Sequence, residues 1–592
     1  MKNTFENIQK RYKELKAERD KYVSNWEEIA KYVGIRVQTQ QYFNSGHTDK
    51  SEDLDKWTED PTASLSVQQS ADYLKGIMWG NGNGAVSLVP SEDVLRLGNK
   101  EVLEPWYEYA SKKLLDQINH PRAGFNTALS ACMYDEQAFG TGGVGAFPNS
   151  AFTAGIDSNV LLFRPYGVDT LCIDEGKNGL PEVVFNTYQW RVNRIISEFC
   201  EVDGVIDEKL LEKMPAKVKA SFKANKLNDI YTIVQGIVPS DEFVVGAEGK
   251  RGCRYYGYWF EESEKKFFRE ENYRDMPIAV ARAIKIRGEV YGRSSGTMLI
   301  SAIRCINSAI SISMQAMGKM VNPPIGILNT ALFGDDVVDT SENGLTVFNA
   351  AQLQGNSPIT PMLDVSDPSA LVNWLVPYLN EKVATAFKID ILLDFSANSD
   401  MTATEAMQRF SIRGRSISGM INQQKTELFE PLIRRCVSIC YDRGVLGLEP
   451  NSEEAVEMME LGRNEMIIPS EVLECIAEGK PWFEIHFNNE VEKLGKADKV
   501  DDLLKLINTV MAIMQVSPEI AQAINWYQLL ADVTDALGQK QCLLEEKKYK
   551  EIVDQQKAMQ AQIMQAQISG QEAQANRNNA SAIKELTNEQ SV

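Results

Sequence analysis

The chain has 592 residues, of which 43% are hydrophobic, 9% aromatic and 24% charged, and this composition excludes a disordered or fibrous protein. At about 100–200 residues per domain, the chain is long enough to form three or four hydrophobic cores. Its formal net charge of −20 argues against a protein that wraps duplex DNA, because neutralising the phosphates requires a surplus of lysine and arginine.

Targeting and cysteine signals favour a cytosolic protein that binds no metal. Residues 1–20 are charged throughout and lack the apolar core of a secretory signal. No uninterrupted run of 18 apolar residues occurs, so we expect no membrane-spanning segment. Cys436 and Cys440 lie four apart on a predicted helix, as buried thiols in a reducing compartment do. Three histidines and the lack of a CxxC pair predict no zinc site, and we expect no cofactor.

The first 290 residues divide into a helical part and a mixed part. Amphipathic patterns predict helices over 5–33, 62–79, 101–118 and 124–138, so residues 1–150 are mainly helical. The glycine-rich run 139–145 is interpreted as a flexible joint. From about 157 onward, short segments rich in β-branched and aromatic residues alternate with helices near 189–200 and 207–226. This region is predicted to be α+β and to end near residue 290.

A helix of unusually low charge is predicted over 297–321. Its apolar residues recur at spacings of three and four, as in a helix that packs lengthwise on others. They are Leu299, Ile303, Ile306, Ile310, Met314 and Met317. Its opposite face consists largely of serine and alanine, which indicates that protein covers more than one side. Strand-and-loop material follows over 325–368, and a second helix over 369–389.

The C-terminal third is predicted to be helical. Thr402-Ala-Thr-Glu405 has the pattern of a capping box, and the helix that it opens extends to about Arg443, with a bend at Pro431. Residues 497–515 and 517–537 are amphipathic. The tail from 543 onward is rich in glutamine and alanine, with a thin apolar stripe. A helix of this kind is marginal alone and indicates association between copies of the chain.

Sequence motifs of catalysis are weak. No GxxxxGK[ST] motif occurs, which argues against a P-loop ATPase. Residues 292–296 match GxSxG with Ser294 as candidate nucleophile, but a turn that caps the next helix explains them better. Residues 140–145 match GxGxxG outside its strand-to-helix context. We therefore predict no catalytic, cofactor-binding or metal-binding residue. The alternative is an acidic metal-dependent hydrolase or nuclease, or a serine hydrolase built on Ser294.

Arginines and aromatic residues offer two candidate binding clusters. The first comprises Arg409, Arg413 and Arg415, with Arg434 and Arg435 further along, and could contact phosphates. Salt bridges to acidic neighbours are the favoured interpretation in so acidic a chain. The second is the aromatic run 255–260, which could stack bases but is better explained as a buried strand.

Several motifs, in order and spacing, resemble the portal (head-to-tail connector) proteins of short-tailed, podovirus-type bacteriophages. The motifs that carry the resemblance are Trp26-Glu-Glu-Ile-Ala30, Phe139-Gly-Thr-Gly142, Tyr291-Gly-Arg-Ser-Ser-Gly296, Val321-Asn-Pro-Pro324, Met401-Thr-Ala-Thr-Glu-Ala406 and Leu428-Phe-Glu-Pro-Leu-Ile-Arg434. They extend along nearly the whole chain. The alternative within the same setting is another oligomeric capsid-associated connector protein.

The resemblance implies a predominantly helical α+β fold of portal type, assembled as a ring. It implies a wing over 1–290 (helical 1–150, α+β 151–290), a first stem helix over 291–321, a clip over 322–368, a second stem helix over 369–390, a tunnel loop over 391–401, a long kinked helix over 402–445, a crown over 446–540 and a C-terminal helical barrel and tail over 541–592. Under this mapping, the channel-lining residues are expected to be Lys382, Lys388, Asp394, Ser396, Asn398 and Asp400.

The resemblance also implies a function and partners. A ring, usually of twelve subunits, would form at one capsid vertex and conduct double-stranded DNA during packaging and ejection, without being an enzyme. It would dock the terminase large subunit and later the tail adaptor and tail tube proteins. It would also contact major capsid and scaffolding proteins. We therefore expect a virion protein, assembled in the host cytoplasm and not bound to a membrane.

Overall fold

The computed structural model describes two compact units of the chain, residues 1–490 and 491–592. The described residues are 3–33, 59–80, 82, 85–153, 158–202, 205–240, 253–329, 341, 344–349, 359–361, 368, 371–389, 419–450, 452, 466–487, 506, 527–530, 549 and 578. In the second unit, the rings of Tyr527 and Tyr549 lie 5.3 Å apart. All further description concerns the first unit.

The first unit combines helices and sheets, which confirms the predicted α+β class. Its α-helices are α1 (Phe5–Tyr32), α2 (Thr62–Met78), α3 (Glu92–Leu97), α4 (Lys100–Ile118), α5 (Phe125–Phe139), α6 (Ser150–Thr153), α7 (Val192–Cys200), α8 (Glu208–Lys213), α9 (Ala216–Lys223), α10 (Ser295–Val321), α11 (Val376–Ala386), α12 (Glu430–Asp442) and α13 (Ser470–Ala477). A 3₁₀ turn (Pro121–Ala123) and two π-helical turns (Leu371–Leu375 and Lys425–Phe429) accompany them.

The described strands form five sheets. They are β1 (Val86–Pro90), β2 (Thr141–Pro148), β3 (Leu161–Gly167), β4 (Leu171–Glu175), β5 (Pro181–Arg191), β6 (Glu201–Val202), β7 (Val205–Ile206), β8 (Ile230–Pro239), β9 (Tyr255–Glu261), β10 (Arg269–Tyr273), β11 (Ile278–Arg282), β12 (Ile325–Asn329), β13 (Leu345–Asn349), β14 (Ile359–Pro361) and β15 (Phe483–Phe487). The strand orders are β10-β9-β8-β5-β4, β11-β2-β3, β13-β12-β14, β1-β15 and β6-β7. Except for the parallel β12–β13 pair, the pairs are antiparallel.

The five-stranded sheet has a hydrophobic core on each face, because successive strand residues point to opposite sides. In β9, Tyr258 and Phe260 pack against Tyr12 of α1. Trp259 points the other way and packs against Phe199 of α7, with ring centroids 5.0 Å apart. The interpretation of the aromatic run as a buried strand is therefore confirmed.

The interpretation of the glycine-rich run 139–145 as a flexible joint is wrong. The run continues from the end of α5 into β2, the central strand of a three-stranded sheet, and its residues are buried. A Cβ on Gly142 would lie 2.4 Å from the carbonyl oxygen of Cys132, so the helix and the strand could not approach as they do. Close packing explains these glycines better than flexibility does.

Two other helix predictions need correction. The stretch 207–226 forms two helices, α8 and α9, because Pro215 cannot continue a helix from its N-terminal side. The helix predicted near 189–200 begins only at Val192, since β5 extends to Arg191.

The predicted helix over 402–443 is described from 419 onward. A π-helical turn (Lys425–Phe429) interrupts it immediately before Pro431, which lies in the first turn of α12. Proline removes one backbone donor and a wider turn accommodates that loss, so the irregularity lies where the sequence predicted a bend. The capping box and Arg409, Arg413 and Arg415 lie outside the described residues.

One described helix, α10, is long and apolar enough to cross a membrane when only length and composition are considered. The sequence expectation overlooked it because polar residues interrupt its apolar pattern. Those residues pack against the rest of the chain: Asn307 and Ser313 are buried, and Arg304 pairs with Glu28 of α1 at 2.7 Å. Contacts of this kind are typical of a helix that packs on protein.

Candidate functional site

The site is built on two helices, α10 and α11, which we call the helix pair. The hydroxyl of Ser295, at the start of α10, donates to the carbonyl oxygen of Ala386, at the end of α11, at 2.9 Å. Further along, α10 contacts the π-helical turn that precedes α11. The two helices therefore run antiparallel, side by side.

The predicted packing residues of α10 divide into two groups. Leu299, Ile303, Ile306 and Ile310 belong to a core shared with α1, α2, α5 and α11. Met314 and Met317 are instead 55% and 47% exposed in the single chain. The first group therefore packs within one chain, and a role of the second group between subunits stays a prediction.

Ser294, the candidate nucleophile, is the N-cap of α10. Its side-chain oxygen accepts from the backbone N–H of Thr297 at 3.0 Å and donates to the carbonyl oxygen of Ala138 at 2.7 Å. The side chain is fully buried. These bonds satisfy an otherwise unpaired helix donor and use the hydroxyl proton. The capping interpretation explains both bonds, whereas a nucleophile needs a hydroxyl that substrate can reach.

Two of the motifs that carried the resemblance meet at this cap. A Cβ on Gly292 would lie 2.3 Å from the carbonyl oxygen of Gly140, and Gly140 itself has a φ of +93°. The N–H of Gly292 donates to the hydroxyl of Thr141 at 2.9 Å. Both glycines are needed because two backbone segments cross without room for a side chain.

A buried charge network lies beside this crossing. Arg282, at the end of β11, is fully buried, and its Nε and Nη2 donate to the two carboxylate oxygens of Glu427 at 3.0 and 2.6 Å. It also pairs with Glu175 of β4 and donates to the carbonyl oxygens of Gly179 and Val290. A bidentate pair of this kind fixes the orientation of both side chains. The network therefore ties two sheets to the π-helical turn.

Glu136 of α5 is a second buried acid close to the same turn. Gln424 donates to its carboxyl group. Burial raises the pKa of Glu136 to about 8, and the charge of Glu427 acts in the same direction. Glu427 forms an ion pair with Arg282, whereas Glu136 has no cationic partner among the described residues. Glu136 is therefore the acid that takes up a proton near neutral pH.

The structure describes two of the six predicted channel residues. Lys382 is exposed on α11, with its Nζ 5.4 Å from the ring centroid of Tyr378. Lys388 lies two residues after the end of α11 and has a φ of +58°, and its side chain lines a cavity of about 260 Å³ with Lys285 and Gln423. Burial lowers the pKa of Lys388. Asp394, Ser396, Asn398 and Asp400 lie outside the described residues, so the channel assignment stays a prediction.

The remaining candidate side chains make structural contacts. Arg434 pairs with Glu430 at 2.9 Å, and Arg435 is buried with its guanidinium 5.1 Å from the ring centroid of Tyr273. Cys436 and Cys440 are buried, as predicted, and burial raises their pKa values. Within the part of the chain that the structure describes, no group of three or more His, Cys, Asp or Glu residues could hold a metal ion.

Sequence reasoning missed the charge network and the exposed aromatic pair on α11 and the π-helical turn before it. Arg282 ends an apolar strand, which is a weak signal of a buried, paired charge. Glu136 and Glu427 lie in amphipathic segments, where a carboxylate normally faces water. Trp374 and Tyr378 lie four residues apart, a spacing that is typical of the buried side of a helix. In the structure they are nevertheless 70% and 49% exposed.

Comparisons with known proteins agree along most of the chain. The family model of the bacteriophage head to tail connecting protein matches residues 6–544. The probable portal protein of Bordetella phage BPP-1 is 22% identical over 458 residues, covering 76% of each chain. The portal protein of Salmonella phage epsilon15 is 18% identical over 582 residues, covering 96% of this chain and 94% of its own.

Solved structures add little to these matches. One chain of a native gene transfer agent virion is 13% identical and has a TM-score of 0.26, covering 72% of this chain and 95% of its own. Backbone agreement at this level carries no argument about the fold.

Proposed function

Because this chain belongs to the family of bacteriophage head-to-tail connecting proteins, we propose that it is the subunit of a portal ring at one capsid vertex. The ring, of twelve subunits, forms the channel through which double-stranded DNA enters during packaging and leaves during ejection. The match of the family model from residue 6 to residue 544 carries this proposal, because it spans nearly every predicted element in order. The protein is a structural conduit rather than an enzyme.

We map the parts of such a ring onto the chain as the resemblance suggests. Residues 1–290 form the wing, the helix pair forms the stem, and 322–368 form the clip. Residues 391–401 form the tunnel loop, 402–445 the long helix, 446–540 the crown and 541–592 the barrel and tail. A helix of low charge such as α10 supports the stem assignment, since packing between subunits would desolvate its faces.

The partners follow from the position of the ring in the particle. The clip docks the terminase large subunit during packaging and the tail adaptor and tail tube proteins afterwards. The wing contacts the major capsid and scaffolding proteins, and assembly takes place in the host cytoplasm. Lys382, Lys388 and the tunnel-loop residues Asp394, Ser396, Asn398 and Asp400 face the DNA. A mostly acidic channel would repel phosphates and keep the DNA sliding.

Negative-stain microscopy of the purified protein, with mass measurement of the intact particle, tests the ring. We expect rings with a central channel slightly wider than duplex DNA and a mass near twelve times 66.3 kDa. A particle that assembles with capsid proteins and contains this chain in single copies would contradict the proposal.

Tunnel-loop variants test the channel. We expect Asp400→Lys to assemble into normal rings but to lower the amount of nuclease-protected DNA in each particle. The matched control is Glu212→Lys, the same charge reversal at an exposed position of α8. If Asp400→Lys prevents ring formation, the loop is structural and the channel assignment is wrong.

A further inference from the structure

Two outward surfaces of the helix pair are complementary to one another. The first is a strip of small, exposed residues on α10, which we call the groove: Ser301, Cys305 and Ser308. The second is an aromatic ridge on α11 and the turn before it, formed by Trp374 and Tyr378. The two rings stack with centroids 6.3 Å apart and planes 7° apart. Water covers both surfaces in the single chain, although large aromatic rings are normally buried against protein.

The groove and the ridge each lie on the side of their helix that faces away from the core. On α10, Cys305 lies on the side opposite Ile303, Ile306 and Ile310, which face the core. Trp374, in the π-helical turn before α11, lies nine residues, or about two and a half turns, before the buried Val383 and therefore on the opposite side. Each helix turns its buried side toward the shared core, so both outward sides are left open to a second copy of the chain.

The two surfaces lie at the same height along the helix pair. The hydrogen bond between Ser295 and Ala386 fixes a common level. Cys305 lies ten residues above Ser295, or about 15 Å at the α-helical rise of 1.5 Å. The position at the same height on α11 is residue 376, which lies between Trp374 and Tyr378. If two copies lie side by side without an axial offset, the ridge of one is therefore level with the groove of the other.

Charges on the two surfaces are complementary as well. Arg304 lies at the edge of the groove, is 52% exposed, and uses Nη1 to pair with Glu28. Glu381 lies on the same side of α11 as the ridge, is exposed, and has no ion pair among the described residues. At matched height these side chains are about four residues apart, or roughly 6 Å, which two long side chains can span. The groove thus offers a cation where the ridge offers a carboxylate.

We propose that the aromatic ridge of one subunit, Trp374 and Tyr378, packs into the Ser301–Cys305–Ser308 groove of the next. Because the two surfaces differ, the contact is head-to-tail, and repetition about an axis along the helix pair closes a ring. The proposal rests on the proposed portal function and identifies which sides of the helix pair meet between copies. It moves this contact away from four of the six apolar residues that the sequence singled out, since Leu299, Ile303, Ile306 and Ile310 pack within one chain.

Alkylation of Cys305 in the unmodified protein is the first test. In the unassembled fraction its thiol is exposed and should react with a maleimide. In the assembled fraction the aromatic ridge covers it, and we expect at least tenfold slower labelling by peptide mass spectrometry. Cys132, which is fully buried, is the control and should stay unlabelled in both fractions. Equal labelling of Cys305 in both fractions would overturn the proposal.

Disulfide formation is the second test, and it measures directly which residues of the ridge lie next to Cys305 of the neighbouring subunit. Trp374→Cys and Tyr378→Cys, each with native Cys305, should give a ladder of covalent oligomers on oxidation, because a disulfide joins Cα atoms about 4.4–6.8 Å apart. Thr385→Cys is the matched control: it is exposed on the same side of α11 but about 13 Å from the level of Cys305. Adding Cys305→Ser should abolish the ladder.

Microscopy of the same samples separates the two proposals. Rings with no ladder from either ridge variant would overturn this contact and leave the portal function intact. Absence of oligomers from the unmodified protein, with capsid and scaffolding proteins present, would overturn both. Binding of the unassembled protein to lipid vesicles through α10, with Cys305 protected by lipid rather than by assembly, would also overturn the contact.

Discussion

Glu136 is a buried carboxyl group with no cationic partner in the part of the chain that the structure describes, and such a group makes folding sensitive to pH. Arg282 donates hydrogen bonds to both carboxylate oxygens of the neighbouring Glu427, and this ion pair compensates for the burial of Glu427. Glu136 receives one hydrogen bond, from Gln424, and burial raises its pKa to about 8. The unfolded chain releases the same proton near the ordinary glutamate pKa of about 4.3. Between these values the folded chain holds one more proton than the unfolded chain.

We expect the free energy of unfolding to fall as the pH rises from about 5 to about 8, and to level off above that range. At about 1.4 kcal/mol for each pKa unit, the loss due to Glu136 is on the order of 5 kcal/mol. Glu136→Gln keeps an acceptor for Gln424 and removes the titration. The variant should therefore be more stable than the parent at pH 8 and show a flatter dependence of Tm on pH.

The exposed Glu270 of β10 provides the matched control. Glu270→Gln removes one carboxylate from the surface and should leave the pH dependence of Tm unchanged. If Glu136→Gln follows the same pH profile as the parent protein, the Glu136 carboxyl is ionised in the folded chain and the buried-proton assignment is wrong.

At the scale of elements, the backbone crossing between β2 and the start of α10 positions the helix pair. Gly140 and Gly292 approach so closely that neither has room for a Cβ. The Ser294 cap and the hydrogen bond from Gly292 to Thr141 lie within two residues of the crossing. Because α10 begins here, any displacement of the crossing changes the direction of a 27-residue helix.

Gly292→Ala should destabilise the protein by about 3 kcal/mol or more, since the added methyl group meets backbone atoms that cannot change rotamer. Thermal unfolding and the yield of soluble protein measure this effect. Gly76→Ala is the matched control, because nothing lies within 4 Å of a Cβ there. As an interior helix position, it should gain roughly 0.5–1 kcal/mol. Equal stability of the two variants would contradict the crossing.

The sequence predicts best those elements whose hydrophobic pattern lies within a single stretch of the chain. The amphipathic pattern predicted a helix over 5–33, and α1 extends from Phe5 to Tyr32 with Tyr12, Leu15 and Trp26 buried. The run 139–145 was misjudged because glycine composition is the same for a flexible joint and for a strand that needs close approach. The difference lies in Gly292, about 150 residues away, and local composition does not report it.

The charge network and the aromatic ridge could not be predicted for a related reason. Arg282, Glu175 and Glu427 come together only through the pairing of β11 and the position of the π-helical turn. The spacing of Trp374 and Tyr378 shows that they share one side of a helix, but not whether that side faces the core. The resemblance identified the helix pair, and the burial of Val383 shows which side of α11 remains available.

At the scale of the whole molecule, the C-terminal half of α10 is an apolar surface that a single chain leaves uncovered. Met314, Met317, Met320 and Val321 are between 46% and 78% exposed. Contiguous apolar surface of this kind on a protein marks an interaction site. In the proposed ring, neighbouring subunits cover this surface. The rate at which its methionines are oxidised should therefore depend on assembly rather than on folding.

We expect peroxide to oxidise Met314 and Met317 to the sulfoxide at least several-fold more slowly in assembled rings than in the unassembled chain, because thioether oxidation follows exposure. Peptide mass spectrometry of size-separated fractions measures both sites in one digest. Met133, which is fully buried, should stay unoxidised in both fractions and shows that the fold is intact. Equal oxidation in the two fractions would mean that this end of α10 faces solvent or the channel, and that subunits meet only nearer the start of the helix.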